Sequence, residues 1–216
     1  MNITADHLTL VIDNIQVLKE VSFMIPDARF TCIIGPNGSG KSSILRTIAR
    51  DLADYSGFVT DIGHDEMTYL PQDLDTPEFL STFEIIILGF NGRRLRGDEQ
   101  NKAAEALLEI CGISHIKDQP FTSVSAGERQ RTWLAFALAQ SKELILMDEP
   151  LAAIDPPARR SFFKLLRSVV DQGKTLVLIT HDIDLAIEYG DHLISMRKGQ
   201  NLFDGRPSQY KSIITG

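Results

Sequence analysis

The fold is decided by one stretch of the sequence, Gly35-Pro36-Asn37-Gly38-Ser39-Gly40-Lys41-Ser42-Ser43. It matches G-x-x-x-x-G-K-[ST], the pattern of a loop that binds phosphate groups. Residues 30–34 before it are apolar or β-branched and indicate a buried strand, and residues 43–49 after it place apolar side chains on one helical face. Strand, glycine-rich loop and helix in this order are the context that the motif requires. The alternative, a chance glycine-rich turn, would need neither flanking element.

The residue types in this loop suit the binding of a nucleoside triphosphate. Glycines leave the backbone free to curl, so that several N–H groups reach one phosphate. The helix that follows adds the positive end of its dipole. The pattern predicts that Lys41 contacts the β- and γ-phosphates of ATP and that the Ser42 hydroxyl is a ligand of Mg²⁺. We therefore predict that residues 35–43 bind the nucleotide.

A second stretch, residues 143–150, ends an apolar run with two acids. The run predicts a buried central strand, and ligands bind at the carboxyl ends of parallel strands. Asp148 then suits the outer coordination shell of Mg²⁺, and Glu149 suits the general base that polarises the attacking water. The alternative is a helix N-cap followed by an acid in the first turn. Pro150 and the later start of the next helix disfavour that alternative.

The most specific motif is Ser125-Ala126-Gly127-Glu128, which opens a helix with apolar residues on one face. Here the chain resembles the ATP-binding-cassette (ABC) ATPases, whose signature is usually L-S-G-G-Q, and the resemblance covers essentially the whole chain. Ala126 stands where Gly is usual, and Glu128 stands where Gln is usual. Ser125 and Gly127 still offer a hydroxyl and a backbone N–H at a helix N-terminus. The resemblance implies that Ser125 to Glu128 hold a γ-phosphate; an ordinary helix cap is the alternative.

Three further residues receive roles from the resemblance. Gln72 matches the glutamine loop that senses Mg²⁺ and the attacking water, and His181 matches the switch histidine that contacts the γ-phosphate. A lone histidine is more often structural, but His181 ends an apolar strand, where phosphate-contacting residues belong. Asp155 matches the loop by which one subunit contacts the active site of the other. Asp155 is also a good N-cap for a helix that begins with Pro156 and Pro157.

One residue of the family pattern is missing. The family usually places an aromatic side chain of the N-terminal strands against adenine, and the alignment puts Ile12 at that position. No Phe, Tyr or Trp occurs before Phe23. Adenine binding is therefore expected to depend on aliphatic contact from Ile12 or Val17.

The composition limits the class of protein. The chain has 22 basic and 29 acidic residues and a net charge of −7, which argues against a nucleic-acid-binding surface, so no nucleic-acid partner is expected. Cys32 and Cys111 lie far apart in apolar surroundings and indicate reduced core residues. No apolar run reaches the ~18 residues that a membrane-spanning helix needs.

The order of elements predicts an α/β protein with the P-loop NTPase (RecA-like) fold. An N-terminal antiparallel β part should precede a mostly parallel sheet that is covered on both faces. The middle of the chain lacks strand patterns and predicts an inserted helical subdomain. The predicted bounds are one ABC ATPase domain over residues 1–216, with a core at about 1–76 and 142–216 and a helical subdomain at about 77–141.

The resemblance implies the ATP-hydrolysing subunit of an ABC transporter, located at the cytoplasmic face of the cell membrane. Two copies would enclose two ATP molecules, and separate transmembrane permease subunits would be the partners. Residues 81–90 are similar to the helical region of iron-chelate, cobalamin and zinc or manganese uptake ATPases, which favours an importer of metal ions or metal chelates. The alternatives are the ATPase of a multi-subunit exporter and a soluble ABC ATPase that moves no solute, such as the iron–sulfur assembly type.

Overall fold

The computed structural model describes residues 2–151 and 154–210, and within them two sheets form the frame of the molecule. The larger sheet has six strands in the order β5-β6-β7-β3-β8-β9, and the smaller has three in the order β2-β1-β4. The strands are β1 Ile3–Ile12, β2 Ile15–Ile25, β3 Phe30–Ile34, β4 Tyr55–Val59, β5 Met67–Leu70, β6 Leu144–Asp148, β7 Thr175–Ile179, β8 His192–Arg197 and β9 Gln200–Gly205.

The larger sheet is parallel from β5 to β8, and only β9 pairs antiparallel with its neighbour. Every residue of β3, β6 and β7 is buried, as continuous apolar runs require when both faces of a parallel sheet are covered. Along β3, Cys32 and Ile34 pack into one apolar cluster and Ile33 into the other. This alternation places one hydrophobic core on each side of the sheet.

The smaller sheet is antiparallel, as predicted, and it includes β4, which follows the glycine-rich loop and α1 in the sequence. β4 pairs antiparallel with β1, with Ala5 opposite Val59. Only Val59 of β4 is buried. A strand with so little apolar surface to bury fits the partly solvated edge of an antiparallel sheet better than the interior of a parallel one.

Six α-helices cover the sheets or pack beside them within the described residues. The helix α1 directly follows the phosphate-binding loop, and α2, α3 and α4 lie between β5 and β6 in the sequence. An edge-to-face contact of Trp133 with Phe121 joins α4 to the turn before it, and Trp133 makes a second such contact with Phe136 within α4. The predicted division into a core and a helical subdomain stays a prediction. The helices are α1 Lys41–Ile48, α2 Thr82–Leu88, α3 Asp98–Ile110, α4 Ala126–Ala139, α5 Pro156–Val170 and α6 Ile183–Tyr189.

Candidate nucleotide-binding and catalytic site

The carboxyl ends of three neighbouring strands converge on the predicted site. β3 continues into the glycine-rich loop at Gly35, β6 ends at Asp148, and β7 leads through Thr180 to His181. Because these strands are parallel and adjacent, their carboxyl ends lie at one edge of the sheet. The topology therefore brings together residues that are more than a hundred positions apart in the sequence, at the edge where ligands bind in α/β folds.

Two glycines of the loop at residues 35–43 could not carry a side chain without a clash. Gly35 has φ +146°, and a Cβ there would lie 2.2 Å from the carbonyl oxygen of Met196. Gly40 has φ +99°, and a Cβ there would lie 2.7 Å from a methyl carbon of Leu18. The left-handed conformation together with the close neighbours explains why these positions need glycine. The hydroxyl of Ser39 is buried and has no hydrogen-bond partner among the described residues, which leaves a polar group in the loop available to a ligand.

Lys41 is buried at the first position of α1, with 4% of its side chain exposed. Its Nζ donates to the carbonyl oxygens of Gly35 and Pro36 at 3.0 and 3.1 Å, and it lies 3.3 Å from Oε1 of Glu149. A buried ammonium group needs acceptors. These three acceptors hold the lysine charge at the loop, where phosphate oxygens would be stronger acceptors.

Asp148 and Ser42 form a direct pair at the same edge. The Ser42 hydroxyl donates to Oδ1 of Asp148 at 3.1 Å. Burial raises the pKa of Asp148 above its usual value, although the hydrogen bond from Ser42 opposes this. A hydroxyl and a carboxylate in contact are hard oxygen ligands that suit Mg²⁺, which takes few ligands from proteins and keeps waters and phosphate oxygens.

Glu149 connects the lysine to the predicted switch histidine. Its Oε1 lies 2.9 Å from Nε2 of His181 as well as 3.3 Å from Nζ of Lys41. Glu149 has φ +46°, a left-handed conformation that is uncommon for a residue other than glycine and that recurs at functional sites. Glu149 and His181 together line a cavity at the end of β7. This geometry places a carboxylate, an imidazole and an ammonium group around one point beside the loop.

Comparison with known proteins identifies the family. The family described as ABC transporter matches residues 18–152. The chain belongs to this family. It is 33% identical to the ferric enterobactin transport ATP-binding protein FepC of Escherichia coli, over 97% of this chain and 82% of the relative. It is 32% identical to the iron(3+)-hydroxamate import ATP-binding protein FhuC of Bacillus subtilis, over 88% of this chain and 76% of the relative.

A solved ATP-binding cassette shares the fold. The chain superposes with a TM-score of 0.88 and 25% identity on the ADP conformation of an ATP-binding cassette of an ABC transporter, covering 100% of this chain and 95% of that one. The ABC family and the predicted α/β P-loop NTPase fold are thus confirmed, and the chain is an ATP-binding ATPase subunit of a transporter complex. Among the described residues no helix is long and apolar enough to cross a membrane.

Of two predicted nucleotide contacts, Gln72 lies in the cleft beside the loop and Ile12 does not. Gln72 lines the cleft around the phosphate-binding loop together with Glu149 and Val17. Ile12 does not line this cleft; it packs against the core between the two sheets, as a partly buried residue. The wall beside the loop is therefore formed by Val17. The assignment of Ile12 to the adenine ring remains a prediction.

The ABC signature lies at the start of α4. Ser125 is the N-cap, its Oγ accepts from the backbone N–H of Glu128, and the Glu128 carboxylate accepts from the N–H of Ser125, which together form a capping box. Ser125, Ala126, Gly127 and Glu128 line neither the cleft around the phosphate-binding loop nor the cavity beside Glu149. The helix-cap alternative is therefore realised in the single chain. The predicted contact of these residues with a γ-phosphate stays a prediction.

Asp155 also acts as a cap, for α5. Its carboxylate accepts from the backbone N–H of Ala158 at 2.9 Å, and Pro156 occupies the first helical position. The role in contacting a partner subunit stays a prediction, and Ala152 and Ala153 before it lie outside the described residues.

The structure also reveals two residues that no sequence motif marks. The Nε of Arg159 donates to the carbonyl oxygen of Ile154 at 2.7 Å, and Arg159 lines the cavity that contains Glu149 and His181. His115 lies 2.8 Å from Glu128 of the signature. The contact of His115 with Glu128 depends on packing between two elements, whereas Arg159 contacts the residue just before the N-cap of its own helix. A single sequence offers no spacing pattern that would have indicated either role.

Proposed function

We propose that this chain powers an ABC importer of metal ions or metal chelates by hydrolysing ATP between two copies of itself. The observation that carries the proposal is the contact of Glu149 with both Lys41 and His181 beside the phosphate-binding loop. Lys41 provides a positive charge for the phosphates, Glu149 provides a carboxylate for the attacking water, and the imidazole of His181 orients that carboxylate. Relatives named for ferric enterobactin, iron(3+)-hydroxamate, manganese and zinc transport support the substrate class.

The loop residues bind and orient the triphosphate. Their backbone N–H groups and the N-terminus of α1 favour negative charge. Lys41 exchanges its carbonyl and carboxylate acceptors for the β- and γ-phosphate oxygens, which it contacts as a point charge. The hydroxyl of Ser42 and the carboxylate of Asp148 would hold Mg²⁺, which when bound neutralises the charge that develops on the phosphate oxygens.

Glu149 is the residue that we assign to the attacking water. Once Lys41 turns to the phosphates, one carboxylate oxygen is free to accept the proton of a water molecule aligned with the γ-phosphorus. Nε2 of His181 contacts the same Oε1 that faces Lys41, at 2.9 Å, and so orients the carboxylate with its other oxygen available to the water. Catalysis of this kind consists mainly of positioning and charge stabilisation, because the phosphoryl group needs little covalent assistance from the protein.

The second copy completes the site. Ser125 to Glu128 lie away from the cleft of their own chain, so their hydroxyl and N–H groups serve the γ-phosphate held by the partner's loop. Gln72 lies in the cleft and is followed by the segment that leads to α2. From this position, a movement of Gln72 on ATP binding can be transmitted through α2 to separate transmembrane permease subunits. Contact with those subunits would place the chain at the cytoplasmic face of the membrane.

The proposal is tested by phosphate release from purified protein and by co-purification. We expect Mg²⁺-dependent ATPase activity that Lys41→Ala removes, and a dimer that forms with ATP when hydrolysis is blocked. Tagged chain expressed with the permease encoded beside it should co-purify with that membrane protein, and metal-chelate uptake should depend on both. Activity that survives Lys41→Ala, or a neighbouring permease that exports its solute, would contradict the proposal.

A further inference from the structure

The signature of this chain contains a contact between Glu128 and a histidine in addition to its helix cap. Oε2 of Glu128 accepts from the Ser125 hydroxyl at 2.7 Å and from the Ser125 backbone N–H at 2.8 Å. Oε1 of the same carboxylate lies 2.8 Å from Nε2 of His115. The carboxylate thus bridges the signature serine and a histidine from the turn that follows α3.

This arrangement places a negative charge where the negatively charged γ-phosphate should bind. The hydrogen bonds from Ser125, and then the contact with His115, hold the pKa of Glu128 below its usual value, so the carboxylate is charged at neutral pH. A carboxylate beside the signature repels the γ-phosphate, which the glutamine usual in the family would not do. In addition, the Ser125 hydroxyl cannot donate to the phosphate while it donates to Glu128.

We propose that His115 is a positioning residue that holds the Glu128 carboxylate through its ring nitrogen, which frees the Ser125 hydroxyl for the γ-phosphate bound by the second copy. This inference rests on the proposed function. When the hydroxyl turns to the phosphate, Oε1 keeps His115 and Oε2 keeps the Ser125 N–H. Neither carboxylate oxygen is then left without a partner, and the charge stays turned away from the incoming anion.

The surroundings of His115 fix its position without burying it. The turn Ser114–Ile116 is held by Ile116, which is 2% exposed, and by Ile113, which is fully buried. The side chain of His115 is 64% exposed and that of Glu128 is 25% exposed. A solvent-facing histidine on a rigid turn can follow the carboxylate without disturbing the core. Its loss should therefore act on the signature more than on the fold.

A double-mutant cycle tests the inference through the KM for ATP. His115→Ala should raise KM about three- to fivefold, as expected for the loss of a solvent-exposed hydrogen bond to a carboxylate, with a smaller effect on kcat. Glu128→Gln preserves the capping box, because glutamine also fills that position, and removes the charge. In the Glu128→Gln background, His115→Ala should leave KM nearly unchanged. His115→Gln retains an N–H donor and should recover most of the lost affinity.

A matched control removes a neighbouring exposed ion pair that does not contact the signature. Lys117 lies two residues away and pairs with Glu105 at 2.6 Å, so Lys117→Ala should leave KM at the wild-type value. Thermal melts of all variants show whether the turn stays folded. Should His115→Ala not fold, His115→Leu, which removes the ring nitrogens but keeps most of the side-chain volume, replaces it in both Glu128 backgrounds.

Equal effects of His115→Ala with glutamate or with glutamine at position 128 would overturn the inference, because the histidine would then act only on the fold. No change in KM would overturn it too. If the same enzyme shows Lys41-dependent ATPase activity and dimerises with ATP, either of these results leaves the proposed function standing. A wild-type chain without Lys41-dependent ATPase would overturn both.

Discussion

Replacement of Glu149 by glutamine tests the catalytic geometry most directly. The side chain keeps its shape and its hydrogen-bonding reach to His181 and Lys41, but it can no longer accept a proton. General-base catalysis contributes roughly 10²–10⁴-fold to rate, so we expect kcat to fall by about that factor. ATP should bind at least as well as in the wild type, because one negative charge near the phosphates is removed.

Without nucleotide, the Glu149→Gln variant should be less stable than the wild type. Nζ of Lys41 has three acceptors. Two are the backbone carbonyls of Gly35 and Pro36, and the third, the carboxylate of Glu149 at 3.3 Å, is the charged one. A hydrogen bond between two charged groups contributes roughly 1 kcal/mol more than one to a neutral acceptor. For a chain of this size that difference lowers the melting temperature by about 2–4 °C. Saturating ATP should remove the deficit, since Lys41 then pairs with phosphate.

Three measurements check these expectations: steady-state phosphate release, thermal melts with and without ATP, and gel filtration. Glu143→Gln is the matched control, since Glu143 precedes the same strand, is 77% exposed and pairs with Lys174. It should change neither kcat nor the ATP-dependent dimer. A Glu149→Gln enzyme that hydrolyses ATP near the wild-type rate would refute the assignment of the base. Absence of an ATP-dependent melting shift would refute the exchange of Lys41 between Glu149 and phosphate.

The remaining predictions concern three other positions. Lys41→Ala should reduce ATPase activity nearly to background, measured by phosphate release; turnover within a few-fold of wild type would contradict the loop assignment. Asp148→Asn should abolish Mg²⁺-dependent activity yet raise the melting temperature at pH 7. Burial raises the pKa of Asp148, so its ionised form costs stability at neutral pH, and the gain should shrink as pH falls towards the ordinary aspartate pKa. Ile12→Tyr should tighten ATP binding by up to about tenfold if ~1.4 kcal/mol of stacking is gained; titration with ATP and GTP that shows no gain would place adenine elsewhere.

The glycine-rich loop and the two acids at the end of β6 could be located from the sequence because each is a local pattern. Their chemistry depends on residues next to one another in a strand, a turn or a helix start. The continuous apolar runs of β3, β6 and β7 likewise indicated strands buried on both faces, and their parallel order follows from the intervening helices. The sequence by itself thus determined the family, the fold class and the position of the loop.

Contacts between distant segments were decided only by the tertiary structure. The pairing of β4 with β1 joins segments that lie far apart in the sequence. The place of Val17 in the cleft wall and the partial burial of Ile12 depend on how the elements pack together. The bridge from His115 to Glu128 joins a turn to a helix start, and the capping pattern alone could not reveal it. Packing sets these contacts through shape and burial along the whole chain, and no local spacing of residue types encodes them.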